Sequence, residues 1–501
     1  MSSDQRPLPE AIAEEAKRTA REVTQTPPPH AAPAAPRQAL ARGGTISLHT
    51  NNRATLSPAA PSGACDDLPS ADEVRAKHAR YLFPSVATYY DEGLVLESGQ
   101  GSTVFDVDGR RYLDFFGGIL TLSLGHAHPR VNAAVVAQIG RLGHVSTLYP
   151  TRSIADLAER LVGLAPGRLD KAFFTTSGTE ANETAVMLAQ LARGKQELIA
   201  LRHGYSGRSM LGQSLTANGH YRAATTQIAA IKHAHAPYCY RCPFGLTYPS
   251  CELRCARDIE ELIQTTTTGE IAGFLAEPIL GVGGFIEPPA GYFEIAVGIV
   301  RKYGGLFLCD EVQTGFGRTG DTFWGIERHG VDPDIMTMAK GIANGFPLGA
   351  TLATTAVAAS WRAGNISTFG GNPISATAAL ATIDTIVDEG LQANAAARGG
   401  ELRDGLLALA EKHRAIIGDV RGRGLMQALE LVENEAEGDR TPAPQKARRL
   451  FEETKKRGLL IGKGGTFGNV IRIAPALTIG KADVADALQL LDEALAAVAE
   501  P

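Results

Sequence analysis

From about residue 150 the chain alternates short apolar runs with longer helical stretches, and this alternation limits the folds open to it. "KAFFTT", "ELIALR", "IAGFLAEP", "GLFLCDEV" and "PDIMTMAK" read as strands, and "EANETAVMLAQLARG" between the first two reads as a helix. Short apolar strands separated by helices argue for a mostly parallel sheet buried on both faces, hence an α/β fold. The pattern changes near residue 390. The helices "GGELRDGLLALAEKHR" and "KADVADALQLLDEALAAVAE" enclose the strands "GRGLMQALELV" and "GNVIRIAPAL", which makes a smaller α+β domain. Upstream, "GSTVFDVDGRRYLDF" reads as a hairpin around Asp108-Gly109.

The expected layout is a large domain over 150–388, a C-terminal small domain over 389–501 and a structured N-terminal segment over 71–149, beginning near "ADEVRAKHARYLFP". Residues 1–70 contain "TPPPHAAPAAPRQALARGG" and little that could form a core. They are expected to be a disordered Pro/Ala-rich tail, with a short helix near "PEAIAEEAKRTAREV". A net charge of -5 without a long basic block argues against nucleic acid as a partner. No uninterrupted apolar stretch is long enough for a membrane span. The first 22 residues carry Asp4, Glu10, Glu14, Glu15 and Glu22 and no apolar core, which weighs against a secretory signal and a transit segment. Six cysteines in 501 residues do not suggest a secreted disulfide scaffold. The location expected on these grounds is cytoplasmic.

Three stretches could carry chemistry. In "LFLCDEVQTGFGRTG", Asp310 ends a buried strand, where open α/β sheets bind ligands; the alternative is an acid that caps the next turn. Gly315, Gly317 and Gly320 spell G-x-G-x-x-G, but in a dinucleotide fold the glycines precede the acid and open a helix. Here the acid comes first, and "TGFGRTG" is expected to be a loop. In "MTMAKGIANGFPLGA", Lys340 follows an apolar strand. A desolvated lysine loses pKa and can form an imine, although a strand-end lysine can also reach into solvent. In "FFTTSGTEANETAV", a strand runs into Ser177, Gly178 and Thr179 and then a helix. Ser177 and Glu180 fit a capping box, and the same N–H groups and hydroxyls could seat a phosphate. A phosphate seat, an acid at a strand end and an imine-forming lysine are together what pyridoxal 5′-phosphate requires. That cofactor is an electron sink only while its ring nitrogen stays protonated, and a carboxylate at the nitrogen keeps it so.

With "SGTEANE", "LCDEVQTGFGRTG", "MAKGIANGFPLGA" and "STFGGNP" in this order, the chain resembles the class III, or ω-amino acid, pyridoxal-phosphate-dependent aminotransferases of fold type I, from about residue 80 to its end. The resemblance implies a large domain plus a smaller α+β domain to which 71–149 contributes, and a homodimer with shared active sites. Lys340 would carry the cofactor covalently and, once released, move a proton between the substrate Cα and the cofactor's C4′. Asp310 would pair with the ring nitrogen, and Gln313 would bond the phenolic oxygen. Val312 and Tyr205, the latter in "RHGYSGRS", would pack on the two ring faces. Ser177, Gly178 and Thr179 would seat the phosphate, and Thr368 would reach the phosphate of the neighbouring subunit's cofactor. Glu277 would support Asp310 and Gln313. Ser206 stands where the family commonly has His.

On the substrate side, Arg472 in "VIRIAPAL" would grip the α-carboxylate with its planar fork; a surface ion pair is the alternative for such an arginine. Arg208 matches a position that binds the distal carboxylate in 4-aminobutyrate-type members. Ile119 lies in "FFGGILTLSLGHAHP", which resembles the alanine–glyoxylate and β-amino acid–pyruvate branch, and would line the substrate site. Val282, in "AEPILGVGGF", stands where many relatives carry a glutamate that pairs with the carboxylate-binding arginine. Without it, Arg472 should be free in both half-reactions, which favours alanine-type substrates. Arg208 pulls towards 4-aminobutyrate and 2-oxoglutarate. The expected reaction moves an amino group from an ω- or α-amino acid (4-aminobutyrate, β-alanine or alanine type) to a 2-oxo acid (pyruvate, glyoxylate or 2-oxoglutarate). A decarboxylase or phospho-lyase of the same family is the alternative.

An insertion over 233–257 is unusual. Cys239, Cys242, Cys251 and Cys255 have the spacing C-x2-C-x8-C-x3-C, with His233 and His235 just upstream. Such pairs suit a structural zinc or an iron–sulfur cluster; a compact loop with reduced thiols is the alternative.

Overall fold

The first described helix, Ala71–Tyr81, starts at a capping box: the Ser70 side chain accepts from Glu73 N and the Glu73 carboxylate accepts from Ser70 N. The computed structural model describes residues 69–223 and 226–499. All but the last two residues of the expected tail therefore lie outside the described residues. Three antiparallel strands follow, β1 (Leu96–Gln100), β2 (Thr103–Asp106) and β3 (Arg111–Asp114). The β2–β3 turn is the expected Asp108-Gly109 hairpin, and Asp106 Oδ1 closes it by accepting from Asp108 N and Arg110 N.

A seven-stranded sheet carries the middle of the chain. Its strands are β4 (Lys171–Thr175), β5 (Leu198–Leu201), β6 (Ile231–Ala234), β7 (Gly273–Ala276), β8 (Leu306–Asp310), β9 (Ile335–Met338) and β10 (Gly349–Ala353), in the order β4-β10-β9-β8-β7-β5-β6. The pairs from β9 through β6 are parallel, while β10 runs antiparallel to both β4 and β9. The sequence reading ends the series at "PDIMTMAK" and so omits β10. The short connection from β9 to β10 returns the chain antiparallel, so no crossover helix announces the extra strand. The helix Gly178–Arg193 packs on β9 and β10, and Tyr292–Lys302 packs on β7 and β8.

The C-terminal region adds β11 (Ile417–Arg423), β12 (Met426–Asn434), β13 (Asp439–Pro442), β14 (Leu459–Leu460), β15 (Gly462–Gly464) and β16 (Val470–Ile473). Four of them form a sheet in the order β11-β12-β16-β15, and β13 pairs with β12. Strand β14 instead lies parallel to β3, with Leu459 opposite Leu113, so the N-terminal hairpin and the C-terminal chain share a sheet. "IGDVRGR", which is β11, has too few apolar residues to stand out as a strand.

At the end of β8 two acids divide the work. Consecutive strand residues face opposite ways. Asp310 turns to one side, and Glu311 on the other clamps the glycine turn, accepting from Gly325 N (3.0 Å), Ile326 N (2.8 Å) and the Thr314 hydroxyl. A Cβ at Gly315 would stand 2.9 Å from the Trp324 ring, and one at Gly320 would stand 2.7 Å from the Ala396 backbone. These glycines allow close packing of a turn, and no helix opens on them.

The expected metal at Cys239, Cys242, Cys251 and Cys255 is not supported. Among the described residues no group of three or more His, Cys, Asp or Glu side chains converges to hold a metal. The four thiols are free. Burial raises Cys239 and pushes Cys255 up to about 11. His233 faces Leu215 O and Arg222, and His235 faces Arg202. The insertion is fastened through Tyr238 and Arg241 to Glu430 and through Tyr240 to Glu435. No helix among the described residues is long and apolar enough to cross a membrane.

Burial pushes the Glu311 carboxyl up to about 7. Because this lies above the unfolded value, the folded chain holds the proton through the window between them, and stability falls as pH rises through it. Relative to Glu311→Gln, the wild-type chain should lose about 3 kcal/mol of unfolding free energy between roughly pH 4.5 and 7. Urea titrations of both proteins across that range check this; identical pH slopes would contradict it.

Candidate active site

Four turns at the C-terminal ends of strands meet around Lys340. The Asp310 carboxylate is buried and accepts from Asn182 Nδ2 (2.8 Å) on Oδ2 and from Val312 N (3.0 Å) on Oδ1. Thr337 on β9 donates to Asn182 Oδ1 (2.7 Å) and fixes which way that amide points. Burial raises the Asp310 pKa, while these donors and the nearby Lys340 charge oppose the rise. Lys340 keeps part of its surface accessible, yet its ammonium is desolvated and its pKa lowered, with Asp310 and Glu277 acting against that and Arg472 with it. Its backbone sits at φ 48°, a left-handed conformation that a non-glycine residue adopts only when its surroundings impose it. Two contacts do so: Ser123 Oγ donates to Gly341 O (3.1 Å), and the Asn344 amide bonds Leu124 N (2.8 Å) and Gly125 O (3.0 Å).

Glu277, after β7, lies beside this pair. Its carboxylate accepts from Tyr205 N (3.1 Å) and Gly281 N (2.8 Å), and burial followed by repulsion from Asp310 pushes it up to about 8. A Cβ at Gly281 would stand 2.3 Å from the Gln313 amide, so a side chain there would displace that amide. Gln313 Oε1 is buried without a hydrogen-bond partner. Ser177 is the N-cap of Gly178–Arg193 and accepts from Glu180 N (3.2 Å). A Cβ at Gly178 would meet Val312 Cγ2 at 3.3 Å and Ala339 Cβ at 3.5 Å, which places the helix start against the Asp310 and Lys340 turns. Thr179 Oγ1 accepts from Arg208 N (3.3 Å). The Tyr205 ring meets Tyr221 edge-on at 5.3 Å.

Arg472 on β16 is buried, its guanidinium 4.9 Å from the Phe116 ring and 5.6 Å from that of Phe285. It donates to Lys463 O (2.8 and 3.0 Å) and Gly281 O (3.4 Å), the Tyr89 phenol is a further side-chain partner, and among the described residues no carboxylate forms an ion pair with it. Burial lowers its pKa. Val282 is buried and its carbonyl accepts from Gly465 N, in the loop beside Arg472. Three expected site residues stay at the surface. Arg208 is exposed; its charge reaches the Tyr205 phenol. Ile119 is 47% exposed, in a left-handed turn over Gly117–Leu120 braced by Asp114, which accepts from Phe116 N and Gly117 N. Thr368 is exposed on the loop before Pro373–Asp388. Sequence reasoning missed Asn182, Thr337, Ser123 and Asn344. Asn182 could have been found: it lies one turn inside the helix that begins at the candidate phosphate seat, facing the sheet.

Residues 86–495 match the family described as aminotransferase class-III. An alanine–glyoxylate aminotransferase 2 homologue, mitochondrial, of Arabidopsis thaliana is 46% identical over 85% of this chain and 87% of its own length. The mitochondrial alanine–glyoxylate aminotransferase 2 of Homo sapiens is 36% identical over 90% and 91%. The solved structure of a thermostable (S)-enantioselective ω-transaminase from Thermomicrobium roseum is 34% identical, covers 86% of this chain and 99% of its own, and superposes with a TM-score of 0.79. Both curated relatives are named as mitochondrial, which overturns the cytoplasmic expectation. That expectation rested on cysteine usage and on a few N-terminal acids, and a reducing interior is common to more than one compartment.

Removing the amide that orients Asp310 should cost activity without touching the reacting atoms. Asn182→Ala is expected to lower kcat roughly 10- to 100-fold, the usual scale for losing a partner that orients a functional ligand, and to shift the pH profile of kcat. An unchanged kcat and profile would show that Asn182 only fills space.

Proposed function

The chain belongs to the class-III aminotransferases, and from that premise we propose which of its residues do the work and which substrates they select. The family's cofactor is pyridoxal 5′-phosphate, which when bound supplies an electron sink for the pair left on the substrate Cα after proton loss. The residues present suit it: Gln313 Oε1 is buried without a partner, Asp310 is a buried acid with fixed donors, and the start of Gly178–Arg193 offers N–H groups and the Ser177 and Thr179 hydroxyls. Asp310 would hold a proton at the ring nitrogen, Gln313 would bond the ring oxygen, and Val312 and Tyr205 would pack on the two faces. Lys340 would be the covalent anchor and, with its pKa lowered by desolvation, would take the proton from Cα. Residues 150–388 form the cofactor-binding domain, and 71–149 with 389–501 form the smaller one; the β3–β14 pairing supports this division.

The reading of substrate rests on one observation: Arg472 has no acidic partner. A guanidinium buried between two aromatic rings, held by carbonyls and the Tyr89 phenol and by no carboxylate among the described residues, suits a substrate carboxylate. We assign alanine as amino donor and glyoxylate or pyruvate as acceptor, in keeping with the relatives named alanine–glyoxylate aminotransferases. A donor–acceptor activity matrix should show alanine with glyoxylate among the best pairs and well ahead of 4-aminobutyrate with 2-oxoglutarate; the reverse order would overturn the assignment. Val282→Glu should raise KM for alanine at least tenfold with a smaller change in kcat, because an internal carboxylate then competes for Arg472. A donor supplied without any oxo acid should give one turnover per site; continued ammonia release would instead point to a lyase.

A homodimer completes the proposal. Thr368 is flanked by exposed Ile366 (61%) and Phe369 (59%), and Leu148 (64%) and Tyr149 (65%) are exposed as well. Thr147 Oγ1 contacts Ser367 and ties the two segments together. Apolar side chains this exposed mark an interface, and a partner there would bring Thr368 to its site. Sedimentation of the holoenzyme should give a dimer, and Phe369→Glu should weaken both dimer and cofactor retention; a fully active monomer would refute the shared site.

A further inference from the structure

Tyr89 brings a phenol to Arg472 from a distant part of the chain. It lies between the helix Ala71–Tyr81 and β1, is 37% exposed, and is a side-chain hydrogen-bond partner of the buried guanidinium. Aromatic neighbours hold its ring: Phe451 edge-on at 5.2 Å, Phe116 tilted at 6.1 Å and Tyr90 edge-on at 6.2 Å. Phe116 also carries the Arg472 guanidinium at 4.9 Å, so one ring fixes the phenol and the cation relative to each other. Tyr221, whose ring meets Tyr205, acts on Arg472 through charge alone, which leaves Tyr89 as the phenol within bonding reach. The charge of Arg472 in turn reaches Lys340, so the phenol belongs to the cluster around the reacting amine.

The directions of the hydrogen bonds decide what this phenol can do. A guanidinium has five N–H donors and no acceptor. Three of those on Arg472 go to Lys463 O and Gly281 O, and the bond to Gly281 O is long, at 3.4 Å. Towards Arg472 the Tyr89 oxygen can therefore only accept, which leaves its own O–H to donate elsewhere. Among the described residues no group takes that proton. An internal carboxylate would have to be expelled from Arg472 before a substrate carboxylate could bind. A neutral phenol need not leave, and a bond from its O–H to an ionised oxygen is stronger than one between neutral groups. We propose that Tyr89 is a second binding residue for the substrate carboxylate: its oxygen accepts from Arg472 and its hydroxyl donates to the carboxylate, so that the acid is held by a cationic fork and a phenol together. This role rests on the reading of Arg472 as the carboxylate binder.

Tyr89→Phe keeps the ring and its packing and removes only the hydroxyl. Losing a donor to a charged group costs about tenfold in affinity, so KM for alanine and KM for glyoxylate should each rise about tenfold while kcat changes much less. Propionate is alanine without its amino group and reads carboxylate binding apart from the chemistry. Its inhibition constant against alanine should rise by the same factor in Tyr89→Phe. The cofactor absorbance and the thermal midpoint of the holoenzyme should not move, as they would if the phenol only supported packing. Arg472→Lys, measured alongside, keeps the two readings apart. Unchanged KM values and propionate inhibition in Tyr89→Phe, with both raised in Arg472→Lys, would overturn the role of Tyr89 and leave that of Arg472 standing. No effect of either substitution would overturn both. A lower kcat or thermal midpoint in Tyr89→Phe with unaltered propionate inhibition would also overturn it, since the phenol would then act on the structure and not on the carboxylate.

Discussion

A carboxylate at the end of a buried parallel strand is expensive to keep charged, and the site is organised around that cost. Asp310 is desolvated by β8 and its neighbours, so burial alone drives it towards the neutral acid. Asn182 and Val312 N answer with two directed donors, and Thr337 fixes the amide that provides one of them. Glu277, nearby and equally buried, is raised as well, up to about 8, by burial and then by repulsion from Asp310. Two desolvated acids in one pocket titrate as a pair, each raised by burial and each opposed by two directed donors. The same desolvation that raises the acids lowers Lys340, so one dry pocket prepares both the anchor amine and the acid opposite it.

The second constraint is Arg472, which joins regions far apart in the chain. It stands on β16, leans on Phe116 from the N-terminal segment and on Phe285 from the loop after β7, and donates to Gly281 O beside Gln313. Its setting therefore depends on the small sheet and the large one together, and any change in how they meet moves its guanidinium relative to Lys340. On the proposed reading, the absence of an acid at position 282 removes an internal competitor for Arg472.

Much of this was legible in the sequence, for identifiable reasons. The parallel strands stood out because both faces are buried, and the Ser177 cap and the Asp108-Gly109 turn because local hydrogen bonding dictates their residue types. Strand β10 was missed because it returns antiparallel through a short connection, and β11 because its residues are glycine and charge. The second acid of "CDEVQTGFGRTG" was passed over: Glu311 holds the turn, and only the three-dimensional contacts of Gly325 and Ile326 reveal it. The cysteine spacing suggested a metal, but spacing says nothing of whether thiols are desolvated or where the histidines turn. Asn182 lay one turn inside the helix that starts at the candidate phosphate seat, but only the fold reveals that the carboxylate it meets is Asp310.

The claim on which the account depends most is that Lys340 is the amine that holds the cofactor. Borohydride reduction of the holoenzyme followed by peptide mapping tests it most directly. The account predicts a pyridoxyl group on the peptide containing Lys340 and on no other lysine. Label on a different residue, or no covalent label in an active preparation, would contradict it.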